Sequence, residues 1–155
     1  MKTLAAIALA SIFTISPCHA DITDKLIGAW SGTGTATSNG TAVAIKISTV
    51  CKRYEGTGLR VVTTSLASGQ KSIGTSRFHS NGKVEGELKQ NGSVVALISG
   101  TWTATNNALK YNVKAEGIFP TFRISSKVTL VTANRIKITE STSRGEYSVG
   151  SLKRK

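Results

Sequence analysis

The chain has 155 residues, with 20 Lys and Arg against 8 Asp and Glu, two cysteines and two prolines. So few cysteines exclude a disulfide-stapled scaffold. The formal charge of +12 directs attention to anionic partners.

The N-terminus reads as a secretory leader. Met1-Lys2 opens it, an apolar stretch runs from Leu4 to Ile15, and Ser16-Pro17-Cys18-His19-Ala20 precedes Asp21. Pro17 ends any helix, and Cys18 and Ala20 supply the small residues that a cut after Ala20 requires. The stretch is shorter than the roughly 20 residues of a membrane-spanning helix. Cleavage as a lipoprotein before Cys18 is the competing reading, but it would put Pro17 where Gly or Ala is wanted. The expected layout is a signal peptide over residues 1–20 and one domain over 21–155, exported to the periplasm or beyond the cell. With Lys2 gone, 19 basic residues face 8 acidic ones, a net charge of about +11. Only Cys51 is left among the cysteines, so no intramolecular disulfide forms. It is expected as a small, semi-buried residue at a strand end.

Past the leader, residues 21–27 allow one turn of helix at most. Ten strand-like runs then follow, at 29–37, 41–50, 58–66, 71–79, 83–89, 93–104, 108–116, 122–132, 135–142 and 146–152. Several alternate with period two. Val43, Ile45 and Ile47 share a face, as do Val84, Gly86 and Leu88. So do Leu109, Tyr111, Val113 and Ala115, and so do Phe122, Ile124, Ser126, Val128 and Leu130. Asn39-Gly40, Asn81-Gly82 and Asn91-Gly92 supply the positive φ angles of type I′ hairpins. Short turns between consecutive strands predict an all-β fold: an antiparallel up-and-down meander of about 8–10 strands closed into a small barrel, which leaves no edge exposed. A β-sandwich is the alternative. A membrane barrel is disfavoured, because the outward faces carry Lys83, Glu85, Lys110, Lys114, Arg123 and Lys127 where lipid would demand an apolar band.

The first strand is entered through Leu26-Ile27-Gly28-Ala29-Trp30-Ser31-Gly32-Thr33-Gly34. Gly28-x-Trp30 resembles the lipocalin signature of the calycin superfamily. The longer Gly28-x-Trp30-x-Gly32-x-Gly34 form is similar to the start of ten-stranded nitrobindin-like barrels. The resemblance implies that Trp30 plugs the closed end, with Gly32 and Gly34 letting the strand bend. It also implies a basic residue near the last strand packed on that Trp, a place open to Arg144 or Lys153. A nitrobindin-like heme site needs a His late in the chain. None follows His79, so heme is not implied and no cofactor is expected.

The material for chemistry is sparse. One His and one Cys follow the leader, no metal-ligand spacing is visible, and no nucleophile elbow or phosphate loop occurs. No catalytic or metal-binding residues are assigned, and the chain is not expected to be an enzyme. Glu140 continues the face of Ile136 and Ile138, while His79 and Arg77 continue that of Ile73 and Thr75. Either would place ionisable groups in a cavity if its face turns inward, although both lie near strand ends, where they can instead meet water. The expected function is binding of a small apolar or amphipathic ligand inside a lipocalin-like barrel. Trp30 would form its base, and Trp102, Tyr111, Phe122, Val128, His79 and Glu140 its interior. The second reading uses the basic exterior to dock an anionic envelope polymer or an acidic protein. The basic residues are scattered, with clusters only at Lys52-Arg53 and Lys153-Arg154-Lys155, and Tyr54 alone beside one. No specific nucleic-acid motif results.

Overall fold

A computed structural model describes residues 21–155; the predicted leader, residues 1–20, lies outside the described residues. One short helix, α1 (Ile22–Leu26), precedes ten strands: β1 (Gly28–Ser38), β2 (Thr41–Tyr54), β3 (Gly58–Ala67), β4 (Gln70–Phe78), β5 (Lys83–Gln90), β6 (Ser93–Ala104), β7 (Ala108–Gly117), β8 (Phe122–Thr132), β9 (Arg135–Thr142) and β10 (Tyr147–Arg154). Each strand pairs antiparallel with the next, and β10 closes onto β1. The meander is therefore a closed barrel, and the sandwich alternative falls.

The hairpin chemistry differs from expectation at one turn. Asn39-Gly40 and Asn91-Gly92 take positive φ at both positions, as type I′ turns require. At Asn81-Gly82 only Gly82 does. There the chain makes a longer connection, with the Gly82 amide donating to the His79 carbonyl (3.0 Å) and the His79 amide to that of Lys83 (2.8 Å). Ser68-Gly69 makes the third two-residue turn, with φ of 48° and 78°. Without Asn, it was not distinguishable in sequence from an ordinary polar loop.

Side chains alternate across the wall, so every second residue enters the interior. Large apolar residues enter at one end. Leu59, Leu109, Ile136 and Leu152 are all at most 2% exposed, and Phe78, Val84, Cys51 and Trp102 are buried beside them. Helix α1 caps that end. Asp21 is its N-cap, accepting from the Thr23 amide at 2.8 Å. Ile22 and Leu26 are buried beneath it, and the Ile22 amide donates to the Thr105 carbonyl between β6 and β7 (3.0 Å).

The C-terminal carbonyls of a helix have no partner within it. Here the barrel supplies them. Trp30 Nε1 donates to the Leu26 carbonyl (2.8 Å). Arg154 donates to the carbonyls of Ile27 (2.7 Å) and Lys25 (2.6 Å), and its guanidinium lies 4.3 Å from the Trp30 ring centroid. The basic partner of the tryptophan is thus Arg154, rather than Arg144 or Lys153. Lys153 points outward from the same strand, and Arg144 is at the opposite end, over Phe122. Alternation along Gly150, Leu152 and Arg154 carries Arg154 inside. Gly28 is needed for the same contact: it has φ of +128°, and a Cβ there would sit 2.8 Å from the Arg154 guanidinium. At Gly32 a Cβ would run into the β10 backbone at Ser151, which is how β1 can coil so tightly against β10.

Arg154 combines two charge-assisted hydrogen bonds with a cation–π contact, so its removal leaves carbonyls unpaired and uncovers Trp30. Arg154→Ala is expected to lower unfolding free energy by about 2–4 kcal/mol. Arg154→Lys should recover less than half, since an ammonium cannot reach two carbonyls and stack at once. Urea titration followed by tryptophan fluorescence measures both. A loss within about 0.5 kcal/mol for Arg154→Ala, the ordinary range for surface changes, contradicts this account.

Candidate functional site

Above the capped end the interior is not filled. A cavity of about 550 Å³ occupies the middle and upper barrel, within the size range of small-molecule sites. Its floor is Leu26, Leu59, Phe78 and Ile136, and its walls include Ile47, Val61, Ile98, Val113, Ile124 and Ile138. Toward the mouth the inward positions become small and polar: Ser65, Ser72, Thr142 and Ser148, with Gln90. Such side chains are too short to meet across the barrel, so the cavity opens where they begin. Phe119, 39% exposed in the β7–β8 connection, and Phe122 flank the entrance.

The expected interior residues separate into three groups. Tyr111, Phe122, Val128 and Glu140 line the cavity. Trp30 and Trp102 are buried but do not line it. Trp30 closes the base, and Trp102 packs edge-on against Phe78 (5.8 Å between ring centroids) with its Nε1 donating to the His79 carbonyl (2.8 Å). The placement of His79 inside the barrel is corrected. Phe78 is the inward residue at the end of β4, so His79, like Ile73, Thr75 and Arg77, faces out. Its ring lies against Tyr54 and between Glu55 (3.3 Å) and Glu85 (3.2 Å).

Three site features were missed. Cys51 lines the cavity, because β2 runs on to Tyr54 and the alternation of Ile45 and Ile47 continues through Thr49 to Cys51. Burial pushes its thiol up to about 12, despite the nearby Arg154 charge. Arg144 and Glu146 stand at the mouth. Arg144 lies 4.3 Å over the Phe122 ring and donates to the Pro120 carbonyl; Glu146 accepts from the Thr142 hydroxyl (3.1 Å). No period-two signal marks Arg144, which sits in a turn.

The polar groups of the interior form a row. Tyr111, Ser126, Glu140 and Ser148 are successive cross-strand partners on β7, β8, β9 and β10. The Ser126 hydroxyl is buried without a hydrogen bond. Glu140 is held above the usual carboxylate range, first by loss of solvent and then by the neighbouring Glu146 charge. Tyr111 is pushed up likewise, by burial and then by Glu140. Cys51 inside and His79 outside stand on opposite faces of the wall, so they form no thiol–imidazole pair. Among the described residues no group of three or more His, Cys, Asp and Glu gathers to hold a metal ion.

No family model matches the sequence, and no curated protein matches it. Solved structures do match in fold. Rv2717c from M. tuberculosis superposes with a TM-score of 0.61 at 15% identity, over 84% of this chain and 93% of that one. The S-type phycobiliprotein lyase CPES from Guillardia theta gives 0.54 at 8% identity, over 86% and 90%. A redesigned β-barrel, mFAP1, bound to DFHBI, gives 0.50 at 16% identity, over 85% and 97%. The chain shares its fold with ten-stranded antiparallel β-barrels.

The Cys51 environment has a direct consequence. In the folded protein a thiol held near 12 is almost wholly protonated at pH 8, and only thiolate attacks disulfide reagents. Native protein should react with Ellman's reagent at least about a hundredfold more slowly than urea-unfolded protein. Equal rates would show that Cys51 is open to solvent.

Proposed function

We propose that this chain is an exported, lipocalin-like binding protein for a small apolar or amphipathic ligand. The observation that carries the reading is the cavity of about 550 Å³ in a barrel closed at one end only. An apolar wall with few polar groups favours a ligand that is mostly hydrocarbon or aromatic, oriented by those groups. The fold neighbours support the reading as far as their own names go: one is bound to DFHBI, and another is a phycobiliprotein lyase. Export rests on the leader composition, and the mature protein is then residues 21–155. Binding, rather than catalysis, suits a site whose thiol is protonated and whose imidazole lies outside.

The outer face of β7 to β10 favours a second activity, docking of an anionic polymer. Lys110 faces Lys127, Lys114 faces Arg123, and Arg135 faces Lys153. Like charges directly opposite one another are unfavourable, and Glu116 is the only acid on this face among the described residues. A shallow groove of about 260 Å³ runs beside Lys110 and Lys127, with Asn112, Thr139 and Tyr147. A polyanion laid there would relieve the repulsion.

Two measurements test these readings. Native mass spectrometry of protein purified gently from the periplasm should show residues 21–155 carrying an extra few hundred daltons, lost on denaturation. The mature protein should also bind the neutral dye Nile red, and Val61→Phe with Ile98→Phe, which fills the cavity, should weaken dye binding about tenfold or more with an unchanged circular dichroism spectrum. Undiminished dye binding by the filled barrel refutes the cavity reading. For the outer face, retention on immobilised heparin should fall steeply with salt and drop further in Lys110→Glu/Lys127→Glu. Salt-insensitive retention refutes the second activity.

A further inference from the structure

The cavity reading leaves open which polar end the ligand carries, and the interior polar groups answer it. We infer that Glu140 is the anchor of the site and that the ligand is a cationic amphiphile, an organic amine with an apolar tail. This rests on the cavity being a binding site.

Glu140 faces the cavity midway up the wall. Across the strands it meets Ser126 on β8 and Ser148 on β10, with Tyr111 one strand further. The ionisable group nearest the mouth on its side is Glu146, which adds a second negative charge. No side chain of a Lys or Arg reaches Glu140: Arg144, the one cation lining the cavity, is held at the rim over Phe122 and on the Pro120 carbonyl. Among the described residues the Glu140 carboxyl makes no hydrogen bond or ion pair. Glu140 is half-buried, and loss of solvent disfavours a carboxylate that has no partner, so Glu140 is held protonated more than an exposed Glu would be.

An alkylammonium group entering the row would supply the missing charge. Its N–H groups would donate to Glu140, with the hydroxyl oxygens of Ser126 and Ser148 in the same row, while its tail lies against Ile47, Val61, Ile98 and Ile138. A carboxylate ligand at this depth would meet two acidic side chains instead. Binding of the amine ionises Glu140 and releases its proton to solvent, so affinity falls as pH is lowered through the raised pKa of Glu140.

Displacement of Nile red from the mature protein by decylamine, decanol and decanoate separates the cases, since the three share one tail. Near neutral pH, decylamine should displace the dye at about tenfold lower concentration than decanol, with decanoate weakest. Glu140→Gln should abolish the preference for the amine over decanol. Acidification of the wild-type protein should do the same, which serves as the check if the variant folds poorly by circular dichroism. Equal displacement by amine and alcohol overturns the inference and leaves the apolar cavity standing. Strongest displacement by decanoate overturns it in favour of Arg144. Displacement by none of the three overturns it together with the proposed function.

Discussion

The contact between Trp30, Arg154 and the end of α1 is the constraint on which the remaining architecture depends. A ten-stranded barrel is wide, and inward side chains alone do not seal its end. The helix does so, but a single turn of helix has too few internal hydrogen bonds to be stable alone. It persists because the barrel provides what it lacks. Trp30 and Arg154 take the carbonyls of Leu26, Ile27 and Lys25, and Ile22 and Leu26 bury their side chains in return. The same Arg154 ties β10 to β1, so barrel closure and end closure form one cooperative unit. Gly28 makes room for it, which gives the Gly-x-Trp pattern a physical meaning in this chain.

Given a sealed base, side-chain size along the axis decides the rest. Leu, Ile, Phe and Trp enter the lower layers and meet in the middle. Ser, Thr and Ala enter the upper layers and do not. The apolar contacts that stabilise the fold are therefore concentrated at the capped end, and the open half contributes less. An unfilled interior forgoes dispersion contacts that a packed core would have. A barrel with such a void is less stable than its strand pairing would allow, and a ligand of matching shape would restore those contacts. Stability and occupancy are coupled in this way by mass action.

The sequence made the wall legible because alternation and turn chemistry are local. Strand starts and ends differ from the expected ones by no more than a few residues, and the inward faces of β5, β7 and β8 follow the apolar series that named them. Errors came where one local feature did not determine the answer. His79 was assigned by extending Ile73 and Thr75, two moderately apolar residues that face outward, while the inward face of β4 is Ser72, Gly74, Ser76 and Phe78. A small, polar inward face is what a hollow upper barrel has, and it misleads any rule that equates inside with apolar. Arg154 and Cys51 were missed for a simpler reason, since β10 and β2 each run beyond the expected end and carry the alternation with them. Arg144 and Glu146 reach the mouth through the β9–β10 turn, whose path no periodicity encodes.

The wall also separates charge. Outside, a chain with a large excess of Lys and Arg presents one face, β7 to β10, almost without acids. Inside, the row of cross-strand partners is Tyr111, Ser126, Glu140 and Ser148, and the one side chain among them that would be charged in water at neutral pH is the acid Glu140. The exterior lysines do not neutralise Glu140, because water screens them over the distance that matters, whereas desolvation acts on the carboxyl directly. Loss of solvent, with the Glu146 charge beside it, holds the Glu140 carboxyl above the usual carboxylate range. The two surfaces consequently differ in the sign of their charge, basic outside and acidic within, and the ring of strands between them keeps the two apart.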